Sequence, residues 1–261
     1  TPGAAPGEWR AARTVSLGLR LAHRRSISTL LGRRFSFSPG SVDGRTEYSA
    51  LRFTADWVER GIDEVAALSI TATQGFGHTE SDIARLLTPD TDFRALLVQF
   101  SYARRLNADG FELRARIGSQ LSDGLLYSGE RFAVGGEYTV RGYRETLVLA
   151  DRGANASVEL AHPFSLTGGR RNARGLDWGA FSLLAFADGA IVGNAAGPQP
   201  FPDELASMGL GLAWVPSEAI FAQFTVAETL TDAPVLGTSD LQDRGVQFRV
   251  TVRPLALFRS R

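Results

Sequence analysis

Apolar and polar residues alternate along most of this chain. Leu51, Phe53, Ala55 and Trp57 are spaced by Arg52, Thr54 and Asp56; Phe111, Leu113, Ala115 and Ile117 by Glu112, Arg114 and Arg116; Val246, Phe248, Val250 and Val252 by Gln247, Arg249 and Thr251. Successive side chains of a strand point to opposite faces, so each segment reads as a strand with one apolar and one polar face. The same alternation runs around 14–22, 64–74, 93–104, 153–162, 205–215 and 218–227, and more weakly near 27–37 and 179–188. The pattern predicts roughly eleven strands, most of them about as long as a tilted strand that crosses a bilayer.

Two environments produce such alternation. In a β-sandwich the apolar faces meet each other, whereas in a membrane barrel they meet lipid and the polar faces line the lumen. Aromatic residues recur near strand ends on the apolar faces, at Trp57, Tyr102, Phe111, Trp214 and Phe258, as in the girdles of membrane barrels. Ser207, Gly209, Gly211 and Ala213 give one polar face a run of small residues that suits a filled lumen. Short links at 59–63, 107–110 and 215–218 alternate with long ones at 75–92, 122–152, 189–204 and 229–244. Tight turns on one side and long loops on the other are the outer-membrane pattern. The segment 165–178 breaks it, being long and Arg-rich on the expected short side. In this register Phe53, Phe248 and Val250 are expected to face lipid, and Arg52, Arg249 and Thr251 the lumen.

Composition narrows the chemistry. The 261 residues carry no net charge, and all 28 basic residues are Arg, so no strong field argues for a nucleic-acid partner. There is no Cys, which removes disulfides and thiolate metal sites. No apolar run approaches the roughly 18 residues of a spanning helix. His23, His78 and His162 are scattered without metal-ligand spacing. Residues 77–82 bring Ser81, His78, Glu80 and Asp82 together in sequence, but adjacency alone does not make a triad. Residues 82–87 could add one helical turn in that loop. Residues 168–175 are rich in Gly and Arg but lack the Lys and Ser/Thr of a phosphate-binding loop. Nothing fixes the separation of Glu112 and Asp188 as a glycosidase-type carboxylate pair. No metal, nucleotide or other cofactor is expected.

The most distinctive stretch is 132–145, which contains Phe132, Gly135, Gly136 and then Val140-Arg141-Gly142-Tyr143 inside the longest predicted loop. Asp151-Arg152-Gly153 follows, and Glu159-Leu160 after it. These residues resemble the signature loop of two-partner secretion transporters, the haemolysin-activator type of outer-membrane translocator. The resemblance implies an all-β, antiparallel transmembrane barrel of about sixteen strands, of which the chain would supply roughly eleven. Residues 1–261 would then be the C-terminal portion of the barrel, with the family's N-terminal periplasmic domains outside it.

In that family the loop folds back into the barrel, and its Arg meets an Asp in a Phe-x-Asp-x-Gly motif on the second strand after the loop. Here Phe186-Ala187-Asp188-Gly189-Ala190 falls in that place, with Ala190 departing from the pattern. A shielded Arg is costly unless it meets a carboxylate, which its planar fork can hold through two charge-assisted bonds. Gly142 permits a tight turn beside Arg141, and Tyr143 can pack its ring while its hydroxyl finds a partner.

The implied function is secretion of a large exoprotein, such as a haemolysin or adhesin, across the bacterial outer membrane, with no covalent chemistry. Loop residues Phe132, Gly135, Gly136, Val140, Arg141, Gly142 and Tyr143 would gate the pore against Phe186 and Asp188. Arg52, Arg114, Arg116, Gln247 and Arg249 would touch the passing chain. Outer-membrane lipid and lipopolysaccharide would surround the barrel, and the assembly machinery would read its last strand, Phe258 included. A barrel assembly factor or surface antigen of the same superfamily, a passive porin, and a soluble β-sandwich enzyme or lectin are the alternatives.

Overall fold

Hydrogen bonding between sequence neighbours gives the chain a single large meander. A computed structural model describes residues 12–77, 88–89, 91–170, 177–217, 219–234, 237 and 241–253. Residue His78, the turn at 82–87, the Arg-rich 171–176 and Phe258 lie outside them. The strands are β1 (Ala12–Ile27), β2 (Thr29–Leu30), β3 (Arg33–Arg34), β4 (Arg45–Arg60), β5 (Glu64–Phe76), β6 (Arg94–Arg105), β7 (Glu112–Ser122), β8 (Phe132–Val134), β9 (Val148–Ala150), β10 (Arg152–Ser165), β11 (Ala180–Gly193), β12 (Glu204–Ser217), β13 (Ile220–Thr229) and β14 (Val246–Val252). The main sheet has 10 strands in the order β1-β4-β5-β6-β7-β10-β11-β12-β13-β14. Neighbours are antiparallel throughout. The sheet's two edges, β1 and β14, do not pair among the described residues, so the barrel is partial.

One expected strand is absent as such. The stretch near 27–37 forms the two-residue strands β2 and β3, joined by a turn with Leu31 and Gly32 at positive φ. Consecutive Leu30 and Leu31 break the alternation there, and Gly32 closes the turn without a Cβ clash. Among the described residues the crossing strands are therefore 10 and not roughly eleven, an even number whose first and last members run antiparallel.

The register sorts side chains onto two faces. An apolar ladder runs Leu19, Phe53, Ala72, Leu96, Leu121 across five neighbouring strands. On the opposite face a polar ladder runs Ser101, Arg116, Ser157, Asp188, Ser207, Thr229. The apolar face is uncovered: Leu19 is 73% exposed, Leu210 62%, Phe248 74% and Val250 64%. Trp57, Tyr102, Phe111 and Trp214 lie on it, towards the short-link end. There Trp178 packs against Trp214, Phe164 against Phe181, and Phe111 against His162. Among the described residues no layer covers this surface, and large continuous apolar faces of this kind mark contact with lipid or a partner.

Burial lies on the polar face instead. The loop 123–151 folds over it, and Phe132, Val134, Val140, Tyr143 and Val148 pack against Ala190 of β11 and Leu205 of β12. The core is thus a loop against the inner wall. Because Leu210 sits mid-strand on the outer face, Leu210→Arg should cost about 2–4 kcal/mol in a bilayer, whereas Gln99→Arg on the lumenal face should cost much less. Reversible unfolding of the two variants in lipid vesicles measures the difference.

Candidate functional site: a loop held in the lumen

The loop is shaped at its base and its tip. Phe132–Val134 and Val148–Ala150 pair as a short ladder, β8 with β9, and carry the tip away from the strand ends. Asp151 is fully buried below them. It accepts the Leu126 N–H at 3.0 Å, the Ala195 N–H at 2.9 Å and the Arg131 Nε–H at 3.2 Å. Near the tip, Gly136 has φ 97° and Gly142 has φ 92°. A Cβ on Gly136 would collide with the Glu145 carboxylate, and one on Gly142 would lie 2.9 Å from Ala227 Cβ on β13. Only glycine fits both positions.

Between these glycines the tip puts Val140, fully buried, and Arg141, 2% exposed, against β10 and β11. The Arg141 backbone N–H donates to Asp188 Oδ2 at 3.0 Å; its Nε donates to the same oxygen at 2.7 Å, and Nη2 donates to Asp188 Oδ1 at 2.8 Å. Nη1 donates to Glu159 Oε2 at 2.6 Å, and Nη2 to Ser157 Oγ at 3.2 Å. The guanidinium carbon stands 3.5 Å from the centroid of the Phe186 ring. Ser157 pairs with Asp188, and Glu159 with Phe186, across β10 and β11. Two adjacent cross-strand pairs therefore make one socket, with two carboxylates, a hydroxyl and an aromatic face. Burial works against the Arg141 charge, but the hydrogen bonds and charges of Asp188 and then Glu159 outweigh it and hold its pKa above the ordinary arginine value.

Tyr143 locks the other side of the tip. Its hydroxyl lies 2.8 Å from the carbonyls of both Ala206 and Thr231 and accepts the Thr231 N–H at 3.2 Å. Arg144 forks onto Asp243 through two bonds of 2.6 Å, tying the tip to the short helical turn Gln242–Arg244 before β14. Ala190, which replaces the motif's Gly, continues β11 without a break, and its methyl packs in the tip's apolar cluster.

With this geometry in place, the comparisons with known proteins decide the family. The sequence model described as Haemolysin secretion/activation protein ShlB/FhaC/HecB matches residues 9–199. The chain belongs to this family. Its members are two-partner secretion transporters, outer-membrane β-barrel proteins. Solved structures similar to the chain include CdiB from Escherichia coli, at TM-score 0.70 and 20% identity over 92% of this chain and 42% of that one. CdiB from Acinetobacter baumannii follows at TM-score 0.64 and 16% identity, over 92% and 39%. BamA from Haemophilus ducreyi, lacking POTRA domains 1-3, is similar at TM-score 0.59 and 15% identity, over 92% and 51%. The chain thus spans about half or less of the length of these proteins. Comparison with curated proteins gives no match.

The five expected lumenal contacts all lie on the inner face, but most hold the chain's own residues. Arg52 Nη2 donates to both oxygens of Glu130 on the loop, at 2.5 and 2.6 Å. Gln247 Nε2 donates to the Tyr143 carbonyl at 3.2 Å. Arg249 Nη1 donates to the Tyr138 hydroxyl at 2.9 Å and stands 3.1 Å from Glu137. Arg114 bridges Glu112 and Glu159. Among the described residues Arg116 alone of the four arginines has no ion pair. A filled lumen is the reason: the loop brings carboxylates and carbonyls to cations that an empty pore would leave to water.

Sequence reasoning assigned no role to Glu159, Ser157, Glu130 or Asp243. Glu159 and Ser157 share the inward parity of β10 with the Arg116 and Asp188 ladder, and that parity was the signal available. Glu130 and Asp243 sit in loops, where period-two alternation says nothing about direction.

Proposed function

We propose that the chain forms the pore-bearing part of a transporter that passes one unfolded exoprotein, of the haemolysin or adhesin kind, across the outer membrane. The observation that carries this reading is Arg141, buried at the tip of a 123–151 loop that fills the lumen yet is held there by polar bonds. Such a plug blocks small solutes at rest and is released by exchanging hydrogen bonds, without unfolding the wall. The loop tip, Phe186 and Asp188 serve as the gate. Arg116 is ready to meet a passing chain, and Arg52, Arg114, Gln247 and Arg249 become available once the loop shifts. Lipid and lipopolysaccharide surround the apolar face, and the assembly machinery reads the edge that ends in β14.

Cells carrying the full-length protein and its exoprotein provide the test. Export of the exoprotein, with no effect on insertion of unrelated outer-membrane barrels, is the expected result. Faster insertion of other barrels without export would make the protein an assembly factor. Ion conductance without either would make it a porin.

A further inference from the structure

The loop touches the inner wall in two places that share no side chain. The tip sits on β10 to β14. The first leg, residues 126–130, crosses to β4, three strands beyond β7. There Glu130 accepts both Arg52 bonds and the Tyr48 hydroxyl at 2.7 Å, and Arg24 of β1 approaches to 3.7 Å. The Glu130 side chain is 9% exposed and that of Arg52 14%. Tyr127 stacks on Tyr48 with ring centroids 4.3 Å apart, and Leu126, Tyr127 and Phe93 close over Ala50 of β4. Gln120 Nε2 also donates to the Glu130 carbonyl at 3.0 Å.

We propose that Glu130 is a positioning residue for gating: it anchors the first leg to the β1–β4 wall independently of the Arg141 socket, so the tip can leave while the leg stays. The inference rests on the transporter reading for its purpose but not for its test. Arg52 Nη2 holds both carboxylate oxygens of Glu130, which Gln cannot match, because the amide has a single acceptor oxygen and no charge. Groups without shared partners act independently, whereas members of one network do not. Release at the tip therefore swings β8 and β9 about a fixed leg, and the pore opens on the β10–β14 side first.

Two wall positions report the two anchors. Ala50, 1% exposed, lies beneath the leg, and Ala190, 7% exposed, beneath the tip. The full-length protein, with Ala50→Cys or Ala190→Cys as its one cysteine, is labelled in resting membranes with a water-soluble maleimide. Cargo is absent, so the result does not depend on secretion. Glu130→Gln should raise labelling at position 50 about tenfold or more, the effect of one lost charged hydrogen bond on a local opening, and leave position 190 protected. Arg141→Ala should do the reverse. Tyr48→Phe, which removes one hydroxyl, should give a smaller rise at position 50 and carries the test if Glu130→Gln does not assemble. Exchanging the charges, Glu130→Arg with Arg52→Glu, should restore protection. Equal exposure of both positions in either variant, or no rise at position 50 in Glu130→Gln and Tyr48→Phe, would overturn the proposal.

Discussion

Arg141→Ala is expected to destabilise the resting transporter by about 3–5 kcal/mol, the cost of leaving a buried charge without its partner, and to remove most export. The substitution strands two carboxylates, Asp188 and Glu159, of which only Glu159 keeps a second cation, Arg114. Asp188→Ala should do less harm, because Arg141 keeps Glu159 and Ser157. Removing Arg141 and Asp188 together should be milder for stability than removing Arg141 alone, with a coupling of about 1–3 kcal/mol. Arg141→Lys should recover part of the loss at most, since an ammonium cannot span Asp188 and Glu159 as the planar fork does. Thermal unfolding of the four proteins in detergent, alongside export, measures the cycle. Strictly additive losses would remove the socket as a unit.

Asp151→Ala should have the second largest effect. Two backbone N–H groups, of Leu126 and Ala195, and the Arg131 side chain converge on a carboxylate with no exposure at all. The buried Leu126 N–H costs about 1–3 kcal/mol when left without an acceptor, whereas the part-buried Ala195 N–H and Arg131 side chain can turn to water, so the sum stays below that of Arg141→Ala. The damage should spread in a particular way. Residues 126 and 131 belong to the inserted loop and residue 195 to the loop after β11, so both loops should lose amide protection while the strands keep theirs. Hydrogen exchange of the variant in detergent resolves the two classes. Asp151→Asn, which keeps the shape and one acceptor oxygen, should fall between Ala and the native residue.

How much of this was legible in the sequence depends on whether a feature is periodic. The faces of β4 and β14 follow from alternation alone, because one residue of slip would expose Arg52 or Arg249 to lipid. The stretch near 27–37 misled because its alternation is carried by few residues and interrupted by Leu30-Leu31 and Gly32. The Arg141 and Asp188 pair was nominated by motif resemblance and not by pattern, and Glu159 lay unassigned beside it. Nothing in a one-dimensional pattern says that a loop will return to the lumen. For that reason Arg52, Gln247 and Arg249, read as free contacts, are occupied by Glu130, the Tyr143 carbonyl, and Glu137 with Tyr138. Long-range pairing of loops with walls is set by three-dimensional closure, which local spacing does not encode.

An exoprotein that passes along the inner face of this sheet should be caught there in transit. Photo-crosslinking in the full-length transporter tests this most directly, with the cargo stalled by a tightly folded C-terminal fusion. The photoreactive residue is placed at Gln99 or Arg116 on the inner face, or at Val158 or Leu210 on the outer. Adducts with the stalled cargo are expected from positions 99 and 116 and none from 158 and 210. Adducts from the outer positions, or none from the inner ones while cargo is stalled, would contradict it.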